Sequence, residues 1–196
     1  MNKKNNNKEK ILNAATILFQ EKGYYGTGLN EILRKSNCPK GSLYYYFPNG
    51  KEELAIESIK ITKDFVEKRI RTRLGKIEDP SKSLEKLVNE MTEDFNKDAD
   101  NIESFQSNKK ISINLIALET SKTNENIRQA CEEAYHTWEK AYYDKFLESG
   151  MEDAKAKKLS KIVETLIEGA IIMSTTNKDD RYISNIAKIL PKLFEE

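Results

Sequence analysis

One histidine and two cysteines stand among 196 residues, and that scarcity removes most metal and nucleophile chemistry. His136 is the lone imidazole, so neither a histidine metal cluster nor a Ser/His triad can be assembled from one chain. Cys38 and Cys131 lie far apart, with no CxxC spacing and no Cys/His cluster. That pattern excludes a zinc site and a disulfide framework, and it fits a reducing cytosol. Cys131 reads as an ordinary buried thiol, and Cys38, in the turn before Pro39, as partly exposed. Glycine-rich phosphate loops are absent. No apolar run approaches the roughly 18 residues needed to span a bilayer. The basic start, Met1 to Lys10, is not followed by the apolar segment of a signal peptide. The expectation is therefore a cytoplasmic protein with no cofactor, no metal and no membrane partner.

What is present is charge and helical patterning. The length allows one globular body, or a small domain fused to a medium one, with core enough to need no staple. The net charge of +1 hides an asymmetry. Residues 1–75 hold 15 Lys and Arg against 8 Asp and Glu, a net of +7, and the remainder carries −6. A positive N-terminal third suits a polyanion, because neutralising phosphates releases condensed counterions.

Strand patterning is nearly absent, and apolar residues recur at helical spacing. Ile11, Leu12, Ala15, Leu18 and Phe19 form one helical face, which Gly23 closes. A shorter helix carries Leu29, Ile32 and Leu33, with the Thr27 hydroxyl placed ahead of it as a cap. Asn37 to Pro39 reads as a turn, and Pro39 as the first residue of a third helix that ends before Pro48-Asn49-Gly50. A long helix is expected over 51–74. Asp79-Pro80 opens the next, striped by Leu84, Leu87, Val88, Met91 and Phe95. Ile111 to Leu118 is either a buried helix or a strand. Thr123 or Asn124 can cap a long helix bearing Ile127, Cys131, Trp138, Tyr142 and Phe146, closed by Gly150. Two final helices are expected over 153–175 and 180–194, and the Asn/Lys-rich start is expected to be an unstructured arm.

Three short helices in the first fifty residues, the third holding Lys40-Gly41-Ser42-Leu43-Tyr44-Tyr45-Tyr46-Phe47, form a helix-turn-helix pattern. Gly41 and Ser42 would let backbone approach DNA closely. Leu43 and Phe47 would pack inward, leaving Tyr44 and Tyr45 to meet phosphates or thymine methyls. Three consecutive large aromatics cannot all face one core from one helix.

At this point the sequence resembles the TetR family of one-component bacterial regulators. The resemblance rests on Gly23-Tyr24-Tyr25-Gly26-Thr27, Ile32, the Lys40–Phe47 run and Lys51-Glu52-Glu53-Leu54. It implies DNA contacts from Lys40, Gly41, Ser42, Tyr44, Tyr45 and Tyr46, a phosphate contact from Lys51, and a cap by Thr27 near the DNA backbone. Tyr46 stands where the family often has histidine, and the linker before Lys51 is one residue longer than usual. The remainder resembles the lincomycin- and multidrug-efflux repressor branch. Its marks are Phe47-Pro48-Asn49-Gly50-Lys51-Glu52, the 114–119 run, Thr123-Asn124-Glu125, Trp138-Glu139 and Glu168-Gly169-Ala170. That branch implies an effector pocket in the C-terminal helices and a homodimer built on the last two.

The expected architecture is thus all-α. A helix-turn-helix domain over 1–50 is followed by a helical bundle over 51–196 that holds the dimer interface and the ligand pocket. The expected function is a repressor that binds a palindromic double-stranded operator as a homodimer and is released by a small apolar or aromatic molecule. Phe65, Phe95, Phe105, Ile116, Tyr135, Trp138 and Tyr142 are the candidate pocket lining, though for Trp138, Tyr142 or Phe146 taken singly a core role is favoured over the pocket. Glu119 is either a polar group facing the ligand or the solvated end of its segment. Surplus apolar residues for the dimer are Ile167, Ile171, Ile172, Met173, Ile189 and Phe194. The rival reading is a structural, non-inducible DNA-binding protein on the same scaffold.

Overall fold

The computed structural model describes residues 3–97 and 112–194. Phe105, Ile111 and most of the polar 96–108 stretch lie outside the described residues. The elements are α1 (Lys3–Lys22), α2 (Leu29–Ser36), α3 (Lys40–Tyr46), α4 (Lys51–Leu74), α5 (Pro80–Lys97), α6 (Asn114–Thr120), α7 (Glu125–Glu148), α8 (Asp153–Asn177) and α9 (Arg181–Ile189). A 3-10 helix, Leu190–Phe194, follows α9, and no strand occurs among the described residues.

Two compact units are present: Met1–Thr62 with Asn101–Ala134, and Lys63–Asp100 with Tyr135–Glu196. The boundary expected between residues 50 and 51 falls at the start of α4, and α4 and α7 each contribute to both units.

In the first unit α1 packs against α2, α3 and α6. Ile11, Leu12, Ala15, Leu18 and Phe19 are buried, as their spacing requires, together with Ile32 from α2 and Leu43 from α3. Gly23 ends α1 with φ +72°, a left-handed conformation that a side chain would resist. The Asn/Lys-rich start is helical from Lys3, not an unstructured arm; it contains no Gly or Pro to break the helix. The 111–118 run resolves to α6, with Ile113 and Ile116 buried and Leu115 and Leu118 exposed, a two-sided pattern of helical period.

In the second unit α9 packs on α5 and α8, and the 3-10 helix returns to α5. The Asp79 carboxylate accepts from the Lys82 N–H at 2.9 Å, capping α5 as Asp79-Pro80 led one to expect. The last helix does not run to Phe194 as a regular α-helix. Pro191 has no N–H to donate, and the chain tightens into the 3-10 turn at Leu190.

Candidate nucleic-acid interface

Between α2 and α3 the chain turns through Asn37, which takes a left-handed conformation with φ 52°. Its N–H and that of Cys38 return to the carbonyls of Arg34 and Leu33, the closure that ends a helix economically. Pro39 sits one residue earlier than expected: it is the N-cap of α3, in extended conformation, and Lys40 is the first helical residue. Cys38 is buried, not partly exposed, because the turn folds its side chain inward.

Leu43 and Phe47 are fully buried and fix the rotation of α3. That rotation sends Tyr44 and Tyr45 out, 46% and 67% exposed, with Lys40 and Gly41 exposed beside them and Ser42 half-buried. Tyr46 is half-buried, its ring meeting that of Tyr45 edge-on at 4.8 Å. A Cβ added at Gly41 would find nothing within 4 Å. Nothing inside the protein therefore demands glycine there, whereas close approach by an external backbone would. Arg34 and Lys35, exposed at the end of α2, add positive charge that the sequence reading did not single out.

Thr27 and Lys51 both have partners within the chain. Thr27 does not cap α2; the N-cap is Gly28, with no side-chain bond. The Thr27 hydroxyl is buried, and its one proton is shared between the carbonyls of Gly23 (2.7 Å) and Leu18 (3.0 Å), tying the turn to α1. The Lys51 ammonium lies over the Tyr24 ring, 4.5 Å from its centroid. Burial lowers its pKa, and the nearby Glu119 carboxylate opposes that shift.

Glu119 is the residue whose role the sequence concealed. Its Oε2 accepts from the backbone N–H of Tyr24 at 2.5 Å and of Tyr25 at 3.2 Å. These amides lie in the turn after α1, and the carboxylate from α6 supplies their acceptor. The Tyr25 phenol pairs with the Thr123 hydroxyl at 2.7 Å. Glu52, in the first turn of α4, accepts from the side-chain amides of Asn124 and Asn126 at 3.0 and 2.8 Å, which lowers its pKa. Asn124 also caps α7 through Ile127. A polar seam thus fastens the corner between α6 and α7 to the turn after α1 and to the start of α4. Glu119 is engaged in this seam.

A family model described as "Bacterial regulatory proteins, tetR family" matches residues 11–57. A second, "Transcriptional regulator LmrA/YxaF-like, C-terminal domain", matches residues 80–189. The chain belongs to the TetR family, in its LmrA/YxaF-like branch. It is 40% identical over 188 residues to the HTH-type transcriptional regulator LmrA of Bacillus subtilis (strain 168), covering 96% of each chain. It is 38% identical over 193 residues to the HTH-type regulator YxaF of the same strain, covering 98% of this chain and 97% of that one. A TetR regulator from Chloroflexus aurantiacus shares the fold, with a TM-score of 0.79 over 100% of this chain and 98% of that one at 17% identity. This TetR-type protein is a transcriptional regulator and not an enzyme.

The expected pocket residues of this TetR regulator do not form one group. Ile116 and Glu119 belong to the first unit; Phe65, Phe95, Tyr135, Trp138 and Tyr142 belong to the second. On α7 the Tyr135 and Trp138 rings meet edge-on at 5.5 Å, and the Trp138 indole donates to the Lys63 carbonyl at 3.0 Å. Trp138 and Tyr142 are fully buried, while Phe65, Phe95 and Tyr135 are half-buried. The dimer candidates also divide. Ile167 is buried within its own chain, and Phe194 packs on Phe146 at 5.2 Å. Ile172, Met173 and Ile189 remain exposed on α8 and α9, joined by Leu166 and Tyr182, which the sequence reading missed. No described helix is long and apolar enough to cross a membrane.

Proposed function

We propose that the protein is a repressor that works in the cytoplasm as a homodimer, lays α3 of each copy into successive major grooves of a palindromic operator, and lets go when a small apolar or aromatic molecule binds. The observation that carries the DNA reading is the exposed Lys40, Tyr44 and Tyr45 set around a Gly41 that no internal contact requires. Lys40 and the tyrosines supply donors to phosphates and base edges. The exposed apolar side chains of α8 and α9 support a twofold interface, which matches a palindromic site.

The aromatic stripe of α7 supports an effector in the second unit. Release follows if the ligand prefers a conformer in which the two recognition helices are wrongly spaced. Moving occupancy from nearly full to nearly empty requires a preference of about 5.5 kcal/mol between the two states. The polar seam at Glu119 gives the first unit a hydrogen-bonded joint through which such a preference can act. The non-inducible reading draws its support from the complete burial of Trp138 and Tyr142, which marks a filled core.

The test begins with an operator selected from genomic fragments and labelled for fluorescence anisotropy. A panel of planar apolar compounds is then titrated against the complex while Trp138 emission is followed. Release accompanied by a change in emission supports the inducible repressor. Binding to DNA with no response in either signal favours the non-inducible protein.

A further inference from the structure

The short helix α3 ends in three consecutive tyrosines, Tyr44, Tyr45 and Tyr46. Successive residues step round a helix by about 100°. With Leu43 and Phe47 buried, Tyr45 therefore points directly away from the core, and Tyr44 and Tyr46 flank it on either side. Exposure follows that order: Tyr45 is 67% exposed, Tyr44 46%, and Tyr46 half-buried.

A phenol that projects so far from its helix must give up rotational freedom on meeting a duplex. Ordering such a side chain at an interface subtracts from affinity, and a contact that selects the bound orientation beforehand restores it. The preceding turn does not supply that contact. A long helical side chain leans back over the residues three and four before it, here Ser42 and Gly41. A Cβ built on Gly41 would meet nothing within 4 Å, so the Tyr45 ring does not rest there. The ring instead meets Tyr46, with centroids 4.8 Å apart and planes at 85°. In this edge-to-face arrangement the electropositive rim of one ring addresses the π-face of the other. Tyr46 is the more buried of the two, so it is the fixed partner and Tyr45 the one whose orientation is set.

We propose that Tyr46 is a positioning residue for DNA reading: its ring, and not its hydroxyl, holds the Tyr45 phenol in the orientation that meets the operator. The inference rests on the reading of α3 as the recognition helix and deepens it. It assigns the contact to Tyr45 and the orientation of that contact to Tyr46.

A double-mutant cycle on the full-length protein provides the test. Operator affinity is measured by anisotropy across a salt series for the parent, Tyr46→Phe, Tyr46→Leu, Tyr45→Ala and the variant carrying both Tyr45→Ala and Tyr46→Leu. Tyr46→Leu keeps apolar bulk and helix propensity but removes the ring. It should weaken binding by about two- to tenfold, the worth of one edge-to-face pair. Tyr46→Phe keeps the ring and should bind like the parent, with the parent's salt slope. In the Tyr45→Ala background Tyr46→Leu should cost nothing further. Three results would overturn the proposal. One is a Tyr46→Phe variant as weak as Tyr46→Leu with a flattened salt slope, which assigns a phosphate contact to the hydroxyl. Another is parental binding by Tyr46→Leu. The third is a loss in Tyr46→Leu that persists undiminished without Tyr45, which marks a packing role. That last comparison decides the matter even where Tyr46→Leu lowers the melting temperature. A Tyr45→Ala variant that binds like the parent removes Tyr45 itself as a DNA contact, and the inference with it. A clear loss in Tyr45→Ala alongside an additive cycle leaves the recognition helix standing and removes only the positioning role.

Discussion

Replacing Glu119 with alanine should loosen the recognition unit although the residue lies far from α3 in sequence. The substitution removes the acceptor of two backbone N–H groups, Tyr24 at 2.5 Å and Tyr25 at 3.2 Å. The Tyr25 amide belongs to an exposed residue and recovers a partner from water, so it contributes little. The part-buried Tyr24 amide loses a charge-assisted bond worth about 1.5–3 kcal/mol. For a chain of this size each kcal/mol moves a melting midpoint by about 2–4 °C, so a fall of roughly 3–12 °C is expected in the transition that reports the first unit. Operator affinity should fall with it, by up to roughly tenfold to a hundredfold if the whole energy is spent on ordering the turn before α2. Glu119→Gln keeps an amide oxygen and should lose less than half as much. Differential scanning calorimetry and anisotropy on the same preparations measure both effects. An alanine variant that melts and binds like the parent would refute the seam as a structural joint.

Further outcomes are expected elsewhere. Gly41→Ala should raise or preserve stability, since alanine is the better helix former by about 1 kcal/mol and its Cβ meets nothing, yet it should weaken operator binding; tighter or equal binding would remove the close approach at Gly41. Ile189→Asp, at a residue 51% exposed in the single chain, should convert a dimer to monomers in sedimentation without loss of helicity, and an unchanged dimer would place the interface elsewhere. Glu164→Gln carries a pH signature. The folded state raises the Glu164 pKa through burial and the carboxylates of Glu168 and Glu139, so the parent's Glu164 contributes its stability at low pH and loses it as pH rises through the raised value. The variant's melting temperature relative to the parent's should therefore rise on going from pH 4 to pH 8, and a difference that stays constant or moves in the parent's favour would contradict the buried carboxyl.

The features legible in the sequence were those fixed by local chemistry. Leu43 and Phe47, four apart, set the rotation of α3 and so exposed Tyr44 and Tyr45. Gly23 marked a left-handed stop, and Asp79-Pro80 and Asn124 marked helix starts, each by its own backbone preference. Thr27 was misread because a hydroxyl both donates and accepts: ahead of α2 it could cap amides, but it donates back to the carbonyls of Leu18 and Gly23 instead. Glu119 was illegible in its role because its partners are 95 and 94 residues away in sequence, and no local pattern names a distant acceptor. Glu164 did leave a signal. It occupies an inward position of the α8 period, where a charged residue breaks the apolar pattern, and the reading passed over it by following only the apolar members. Pro191 likewise stood in plain view inside the final helix. The division of the expected pocket residues between two units was not legible, because helical spacing reports which face a residue occupies, not what that face meets.

The central claim is that the N-terminal end of α3 reads DNA, and a salt series on one selected operator tests it most directly. Binding by the parent, Lys40→Ala and Tyr45→Phe is measured by anisotropy across a range of salt concentrations, with helicity and melting temperature recorded for each. Each variant is expected to lose about 1–3 kcal/mol if its contact is to a base, and to flatten the slope of log affinity against log salt by about one if its contact is to a phosphate. Helicity and melting should stay at the parent's values, since both side chains are exposed. Parental affinity and parental slope in both variants would contradict the assignment of α3 as the recognition helix.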